Sequence, residues 1–131
     1  MATIFSRIIN KEIPAYIIEE NDKFIAFLDV FPVQEGHTLV VPKREVDDYF
    51  DLSDSEISEM TVFAKKIAKA IKKSFSCIKV GVCVVGLEVP HAHVHLIPIN
   101  SMRDMNFNNK LKINPERMNE IKNMIIKDLQ T

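Results

Sequence analysis

The stretch Pro90-His91-Ala92-His93-Val94-His95-Leu96-Ile97-Pro98 holds three of the four histidines of the chain within five residues. The histidines alternate with apolar residues, and a two-residue period is that of a β-strand, whose successive side chains point to opposite faces. We therefore predict a strand with the three imidazoles about 6.5 Å apart along one face. The other face is expected to pack into the core through Ala92, Val94 and Leu96.

Three histidines on one rigid strand allow three interpretations. They are incidental structural histidines, which strict alternation disfavours, or they bind zinc together with the fourth histidine, His37. In the third interpretation a neutral imidazole, a good nucleophile near pH 7, attacks phosphorus while its neighbours orient it and neutralise phosphate oxygens. Neither an acidic residue nor a cysteine lies within the stretch, so the nucleophilic interpretation is favoured over the metal site.

The composition predicts one compact domain spanning residues 1–131. The chain is 47% hydrophobic and 27% charged with a formal net charge of -1, so no basic footprint for nucleic acid is visible. No apolar run approaches the roughly 20 residues that span a membrane, and the N-terminus is too polar for a signal peptide. Cys77 and Cys83 are expected to be unbridged thiols in a reducing compartment, which favours the cytoplasm.

Hydrophobic periodicity predicts an α+β fold, with an antiparallel five-stranded sheet, a long helix packed on it and a C-terminal helix. The strands are expected at residues 15–19, 23–28, 37–42 and 78–85 and along the histidine stretch. Ser53 and Glu56 form a capping-box pattern that opens the long helix, which runs to Phe75. Asn114-Pro115 is typical of a helix start, and a short helix is expected at residues 4–10.

The histidine stretch resembles the His-φ-His-φ-His-φ-φ signature of the histidine triad (HIT) family, where φ is an apolar residue. Further segments agree in order. Residues 4–14 (IFSRIINKEIP) resemble the family's I-F-x-K-I-I-x-x-E-I-P, residues 24–30 (FIAFLDV) resemble A-F-x-D-φ, and residues 36–43 (GHTLVVPK) resemble G-H-φ-L-φ-φ-P-K. The resemblance covers residues 4–98, points to the nucleotide-binding, Hint-like branch, and leaves residues 99–131 as a C-terminal extension without a recognisable motif.

The resemblance implies a homodimer that binds purine nucleotides or their conjugates and acts at the α-phosphate, as a nucleoside phosphoramidase does. It implies that His93 is the nucleophile and forms a nucleotidyl-histidine intermediate, and that His95 binds the phosphate oxygens. His91 is expected to orient His93, partly through its main-chain carbonyl. His37 is expected to support the site near the leaving group.

The same resemblance assigns the nucleotide's other contacts. Asp29 is expected to accept hydrogen bonds from the ribose hydroxyls, and Ile4, Phe5 and Ile25 are expected to flank the base. Without the resemblance, Asp29 is equally a turn-capping residue, and the three apolar residues are equally plain core.

Two departures from the family pattern bear on function. Many members carry Cys-x-x-Cys near the N-terminus for a structural zinc, where this chain has Thr3 and Ser6, so we expect no metal and no cofactor. Many also carry A-G-Q-[ST]-V before the first histidine, and its glutamine and hydroxyl contact phosphate. This chain has Leu87 and Glu88 at those places, so the resemblance implies that these two residues are among the nucleotide-binding positions. Leu87 cannot donate a hydrogen bond, and an inward Glu88 would repel phosphate.

These changes in the phosphate pocket leave two alternatives open beside the enzyme. One is a nucleotide-binding module with little turnover that acts through a partner, and the other is a metal-binding hydrolase that uses the four histidines. The 53–75 helix also suggests a homodimer, because it carries more apolar residues than one contact with the sheet needs. Two copies related by a two-fold axis would bury the remaining ones.

Overall fold

The computed structural model describes residues 2–131. In chain order the elements are α1 (Ile4–Ile9), β1 (Ile17–Glu20), β2 (Phe24–Leu28), β3 (Thr38–Pro42), α2 (Asp54–Ser74), β4 (Lys79–Cys83), β5 (Val94–Ile99) and α3 (Pro115–Leu129). Two short 3₁₀ helices lie at Tyr49–Asp51 and Met102–Met105. The strands form one antiparallel sheet in the order β1-β2-β3-β5-β4, which confirms the predicted α+β fold with its long helix and C-terminal helix.

Local side-chain hydrogen bonds set the start of the main elements. Asn21 closes the β1–β2 turn, because its Oδ1 accepts from the N–H groups of Lys23 and Phe24 at 2.9 and 2.8 Å. The predicted capping box at the start of α2 is confirmed: Ser53 Oγ accepts from the Glu56 N–H, and the Glu56 carboxylate accepts from the Ser53 N–H.

The helices α2 and α3 cover one face of the sheet and cover each other. A single buried cluster joins Met60, Phe63 and Ile67 of α2 to Met118 and Ile121 of α3 and to the sheet. Most of the apolar excess of α2 is therefore buried within one chain, whereas Val62 stays 69% exposed, so the helix gives less reason to expect a dimer than its sequence suggested. The dimer itself stays a prediction.

The opposite face of the sheet lies under α1 and carries the histidines. Its core is a second cluster of buried residues, namely Phe5, Ile8, Ile25, Phe27, Leu39 and Val41. None of the helices within residues 2–131 is both long enough and apolar enough to cross a membrane.

The histidine stretch is strand only from Val94 onward, and β4 ends at Cys83 rather than Val85. The sheet register that pairs Val40 with Val94 would, two residues further along each strand, pair Pro42 with Ala92. Pro42 has no N–H to donate, and the Ala92 N–H donates instead to the Val46 carbonyl at 2.7 Å. Side-chain alternation nevertheless continues through this segment, since the three predicted core residues of the stretch lie in the helix-side cluster: Ala92, Val94 and Leu96.

Candidate active site

His93 lies just before β5 with its ring almost fully buried. Its Nδ1 lies 2.7 Å from the main-chain oxygen of His91, and because a carbonyl can only accept, Nδ1 carries the proton and donates. In the neutral ring the lone pair is then on Nε2, which has no partner among residues 2–131. No wholly buried side-chain nitrogen or oxygen of the described residues lacks a hydrogen bond, so Nε2 of His93 reaches solvent. The ring thus presents an accessible nitrogen lone pair, which is what a nucleophilic role would require.

His95 and His37 form a directed hydrogen-bond chain that begins at the main chain. The Val33 N–H donates to Nδ1 of His37 at 3.1 Å, so neutral His37 carries its proton on Nε2. That Nε2–H donates to Nδ1 of His95 at 2.9 Å. Neutral His95 therefore carries its proton on Nε2, on the side of the ring away from His37, and offers a donor suited to a phosphate oxygen.

Burial keeps these rings uncharged near neutral pH. Burial is the main cause that lowers the pKa of His37 and of His95 to about 3, and each charged ring would also repel its histidine neighbours. Burial likewise lowers the pKa of His93, against a smaller opposing effect of its hydrogen bond to His91. A neutral His93 is the form that can attack an electrophile.

His91 joins the site to β3 and α1. Its Nε2 lies 2.8 Å from the Pro42 carbonyl and donates to it. Its Nδ1 then accepts from the hydroxyl of Thr3 at 3.4 Å. The fixed ring holds the His91 carbonyl that orients His93, so the main-chain role expected of His91 is present in the geometry.

Thr3 and Ser6 stand where many relatives have zinc-binding cysteines, and here they serve α1. Thr3 Oγ1 accepts from the Ser6 N–H, and Ser6 Oγ accepts from the Thr3 N–H, which makes a capping box. Neutral hydroxyls are poor zinc ligands beside thiolates. These residues do not fit the structural zinc of those relatives.

Asp29 lies beside the histidine pair at the end of β2. Its Oδ1 accepts from the Phe31 N–H at 2.8 Å, so the turn-capping alternative is realised. Its Oδ2 lies 3.6 Å from Nε2 of His37. Half of the carboxylate is thus used by the turn, and the other half faces the site.

The three apolar residues expected around the base differ in what they expose. Ile4 is 49% exposed, whereas Phe5 is 6% and Ile25 is 0% exposed. The Phe5 ring meets the His93 ring edge-on at a centroid distance of 4.9 Å. Ile4 therefore has surface to offer a ligand, Phe5 packs against the His93 ring, and Ile25 lies in the same buried cluster as Phe5.

Leu87 and Glu88 lie in the loop between β4 and β5. Leu87 is 89% exposed and packs in neither buried cluster, so its side chain is open to solvent. The Glu88 carboxylate accepts from Nζ of Lys110 at 3.0 and 3.1 Å. Glu88 is thus held by a residue of the C-terminal extension.

The sequence interpretation missed Phe107, which contacts two of the four histidines. The Phe107 ring centroid lies 4.8 Å from that of His95 and 5.9 Å from that of His37. The segment around Phe107 is polar and has no apolar periodicity, so no local signal marks it. A lone aromatic residue in a polar stretch is the one hint that the sequence contains.

Of two surface grooves formed by the described residues, only one lies beside the histidine site. One of about 490 Å³ adjoins it and is lined by Thr3, Ile4, Glu88 and Pro90 among others. A larger groove of about 650 Å³ lies between the β1–β2 turn and α2 and contains no histidine. No histidine lines the smaller groove either, but it shares Ile4 and Glu88 with the residues expected to contact a nucleotide.

Asp29, His37 and His95 offer ligand atoms within 4.8 Å of one another, which is a possible arrangement for a metal ion. His91 and His93 do not belong to this group, so the four histidines are not assembled as one metal site. In addition, Nε2 of His37 and Nδ1 of His95 are engaged with each other. A metal between them would have to displace that hydrogen bond.

The model of the HIT domain family matches residues 10–102. An uncharacterised HIT-like protein of Borreliella burgdorferi is 36% identical over 127 residues, which are 90% of this chain and 91% of that protein. The adenosine 5′-monophosphoramidase of Saccharomyces cerevisiae is 37% identical over 98 residues, which are 74% of this chain and 62% of that protein.

Solved structures agree. A HIT-like protein of Bartonella henselae superposes with a TM-score of 0.84 at 30% identity. The superposition covers 96% of this chain and 95% of the Bartonella chain. A zinc-bound histidine triad protein of Mycobacterium smegmatis gives 0.84 at 25% identity and covers 99% and 94%. With the histidine cluster, the fold and these matches together, the chain belongs to the HIT family, in its Hint-like branch.

Proposed function

We propose that the protein is a purine nucleotide hydrolase or transferase that acts at the α-phosphate in the manner of a nucleoside phosphoramidase. The observation that carries this proposal is the 2.7 Å hydrogen bond from Nδ1–H of His93 to the His91 carbonyl, which leaves Nε2 as a solvent-accessible lone pair. Relatives named adenosine 5′-monophosphoramidases support the substrate class.

The reaction proceeds in two displacements at phosphorus. Nε2 of His93 forms a bond to the α-phosphorus, the bond from phosphorus to the leaving group breaks, and a leaving amine takes a proton from solvent. The nucleotidyl-imidazolium keeps its Nδ1–H on the His91 carbonyl, which favours the charged ring. Water then attacks phosphorus and releases a proton, and Nε2 departs with its lone pair.

The neighbouring groups stabilise charge on the phosphate oxygens as these displacements occur. His95 presents Nε2–H as a donor, and His37 fixes that tautomer. A donor held in place before the reaction costs no reorganisation when negative charge builds up. His95 and His37 thus act as a pair, one on the phosphate and one behind it.

The nucleoside is held by Asp29 and the groove beside α1. The free half of the Asp29 carboxylate accepts hydrogen bonds from the ribose hydroxyls. Ile4 contacts the base, while Phe5 and Ile25 support that wall. Leu87 stays outside the contact, and Glu88 borders the leaving-group side.

An adenosine phosphoramidate tests this function. Release of adenosine 5′-monophosphate by the wild-type protein is the expected result. If the wild-type protein binds the nucleotide but releases no product, it is instead a nucleotide-binding module. The loss of the usual polar pair at Leu87 and Glu88 is the reason for considering this alternative.

A homodimer remains part of the proposal, with a different surface from the one expected. β4 is an edge strand, and apolar side chains on and beside it are exposed by 39 to 65%, namely Ile78, Val82, Val84 and Val85. A two-fold axis along this edge covers them and pairs the strand edges. Light scattering is expected to give twice the 15.0 kDa chain mass, and a 15 kDa particle at micromolar concentration argues against the dimer.

A cytoplasmic location, with no nucleic-acid or membrane partner, also stays a prediction.

A further inference from the structure

The tail segment, residues 102–112, is fixed against the site at several points. Phe107 packs on the rings of His95 and His37. The Leu111 N–H donates to the Pro32 carbonyl at 2.7 Å. Further back, Met105 lies against Gly81, where an added Cβ would meet its sulfur at 2.8 Å. The segment thus has a defined place beside the histidines.

Lys110 lies between two of these fixed points and places a positive charge at the edge of the site. Its Nζ donates to both oxygens of Glu88. Both charges act on the histidines: after burial, the positive charge of Lys110 further lowers the pKa of His37, whereas Glu88 opposes the lowering of the pKa of His93 and His95. Phe107, three residues before Lys110, packs on the His95 and His37 rings, so the pair borders the histidine cluster rather than a remote surface.

The two partners differ in how readily they leave the pair. The side chain of Glu88 is 72% exposed and that of Lys110 is 36% exposed. Glu88 follows Gly86, whose φ of 76° marks a turn, whereas Lys110 belongs to the fixed tail segment. An exposed ion pair contributes about 0–1 kcal/mol, so a competing anion displaces Glu88 into water at little cost while Lys110 stays in place.

We propose that Lys110 is a substrate-binding residue that selects nucleotide conjugates whose leaving group carries a negative charge, and that Glu88 holds it at the edge of the site until such a group takes its place. This inference rests on the proposed function and names the substrate class of the same site. It gives the C-terminal extension a contact with the leaving group, apart from the α-phosphate contacts that positions 87 and 88 make in many family members.

Two adenosine phosphoramidates that differ only at the far end of the leaving amine, a carboxylate in one and a carboxamide in the other, test the inference. The wild-type protein is expected to prefer the carboxylate by about three- to five-fold in kcat/KM, which is the upper end of what an exposed ion pair contributes. Lys110→Met should remove this preference and leave turnover of the carboxamide substrate within about two-fold of wild type. Glu88→Gln should increase the preference because Lys110 is then unpaired.

Lys112→Met is the matched control, since Lys112 is an exposed lysine of the same segment with no ion pair among the described residues, and it should change neither substrate. Equal loss on both substrates in Lys110→Met would overturn the inference, as would a wild-type protein without preference. A preference for an ammonium-ended amine that Glu88→Gln abolishes would assign recognition to Glu88 instead. Turnover of the carboxamide substrate by wild type reports on the proposed function separately.

Discussion

Nε2–H of His37 donates to Nδ1 of His95 across 2.9 Å, and both rings are almost fully buried. The direction of this bond follows from the Val33 N–H, which occupies the other nitrogen of His37. A main-chain group in the loop before β3 thus decides which nitrogen of His95 carries the proton. The four histidines therefore divide into two orienting pairs: His91 acts on His93, and His37 acts on His95.

Replacement of His37 should disturb both stability and activity. His37→Leu leaves the Val33 N–H and Nδ1 of His95 without partners, and an unsatisfied buried polar group costs about 1–3 kcal/mol. We expect the free energy of unfolding to fall by about that amount or more in urea titrations. His37→Gln keeps an amide donor toward His95 and is the control; it should recover part of the loss. Equal stability of the leucine variant and wild type would argue against the chain of hydrogen bonds.

Acidification should destabilise the fold through the buried histidines. A histidine in the unfolded chain binds a proton near pH 6.5, whereas His37 and His95 in the folded protein bind one only near pH 3. Between these values the unfolded state holds more protons, so the free energy of unfolding falls as the pH falls, by about 1.4 kcal/mol per pH unit for each such histidine.

Urea titrations of wild type and His37→Gln between pH 7 and pH 4 measure this effect. The difference in stability between the two proteins should shrink as the pH falls, because the variant has one buried histidine fewer. A difference that does not change with pH would mean that His37 titrates normally in the folded protein.

Removal of metal should leave activity intact. The residues at the family's zinc position are the hydroxyls of Thr3 and Ser6, and the nucleophilic mechanism needs no ion. Activity on an adenosine phosphoramidate is expected to survive prolonged treatment with a strong chelator. Stoichiometric zinc in the purified protein, with activity lost on its removal and restored by its return, would favour a metal centre at Asp29, His37 and His95.

His93→Ala should lose two to three powers of ten in kcat, roughly 3–4 kcal/mol of barrier, because the nucleophile is gone. Nucleotide affinity should persist, since Asp29 and the Ile4 wall remain, and isothermal titration calorimetry measures it separately. His95→Ala should cost less than His93→Ala, because it removes one stabilising donor and keeps the nucleophile. Near-normal turnover by His93→Ala would refute the assigned role.

The sequence was enough to predict the sheet, its helices and the common face of the histidines. Alternation and capping are local properties, and the Ser53 capping box came out as expected. The early end of the β3–β5 pairing could also be understood from Pro42, but only once the register was known.

The contribution of the tail segment could not be predicted in this way. Phe107 and Lys110 meet the histidines and Glu88 through contacts between residues far apart in the chain, and neither lies in a periodic element. The partner of Val33 is equally invisible in the sequence, because a main-chain N–H has no residue signature.

Mass analysis of the wild-type protein, quenched with denaturant during turnover of an adenosine phosphoramidate, tests the nucleophilic role of His93 most directly. Peptide mapping should place one adenylyl group on the peptide that contains residues 91–95, with fragmentation assigning it to His93, and His93→Ala should carry none. An adenylyl group on another residue, or steady turnover through a metal-dependent route with no adduct, would contradict the account.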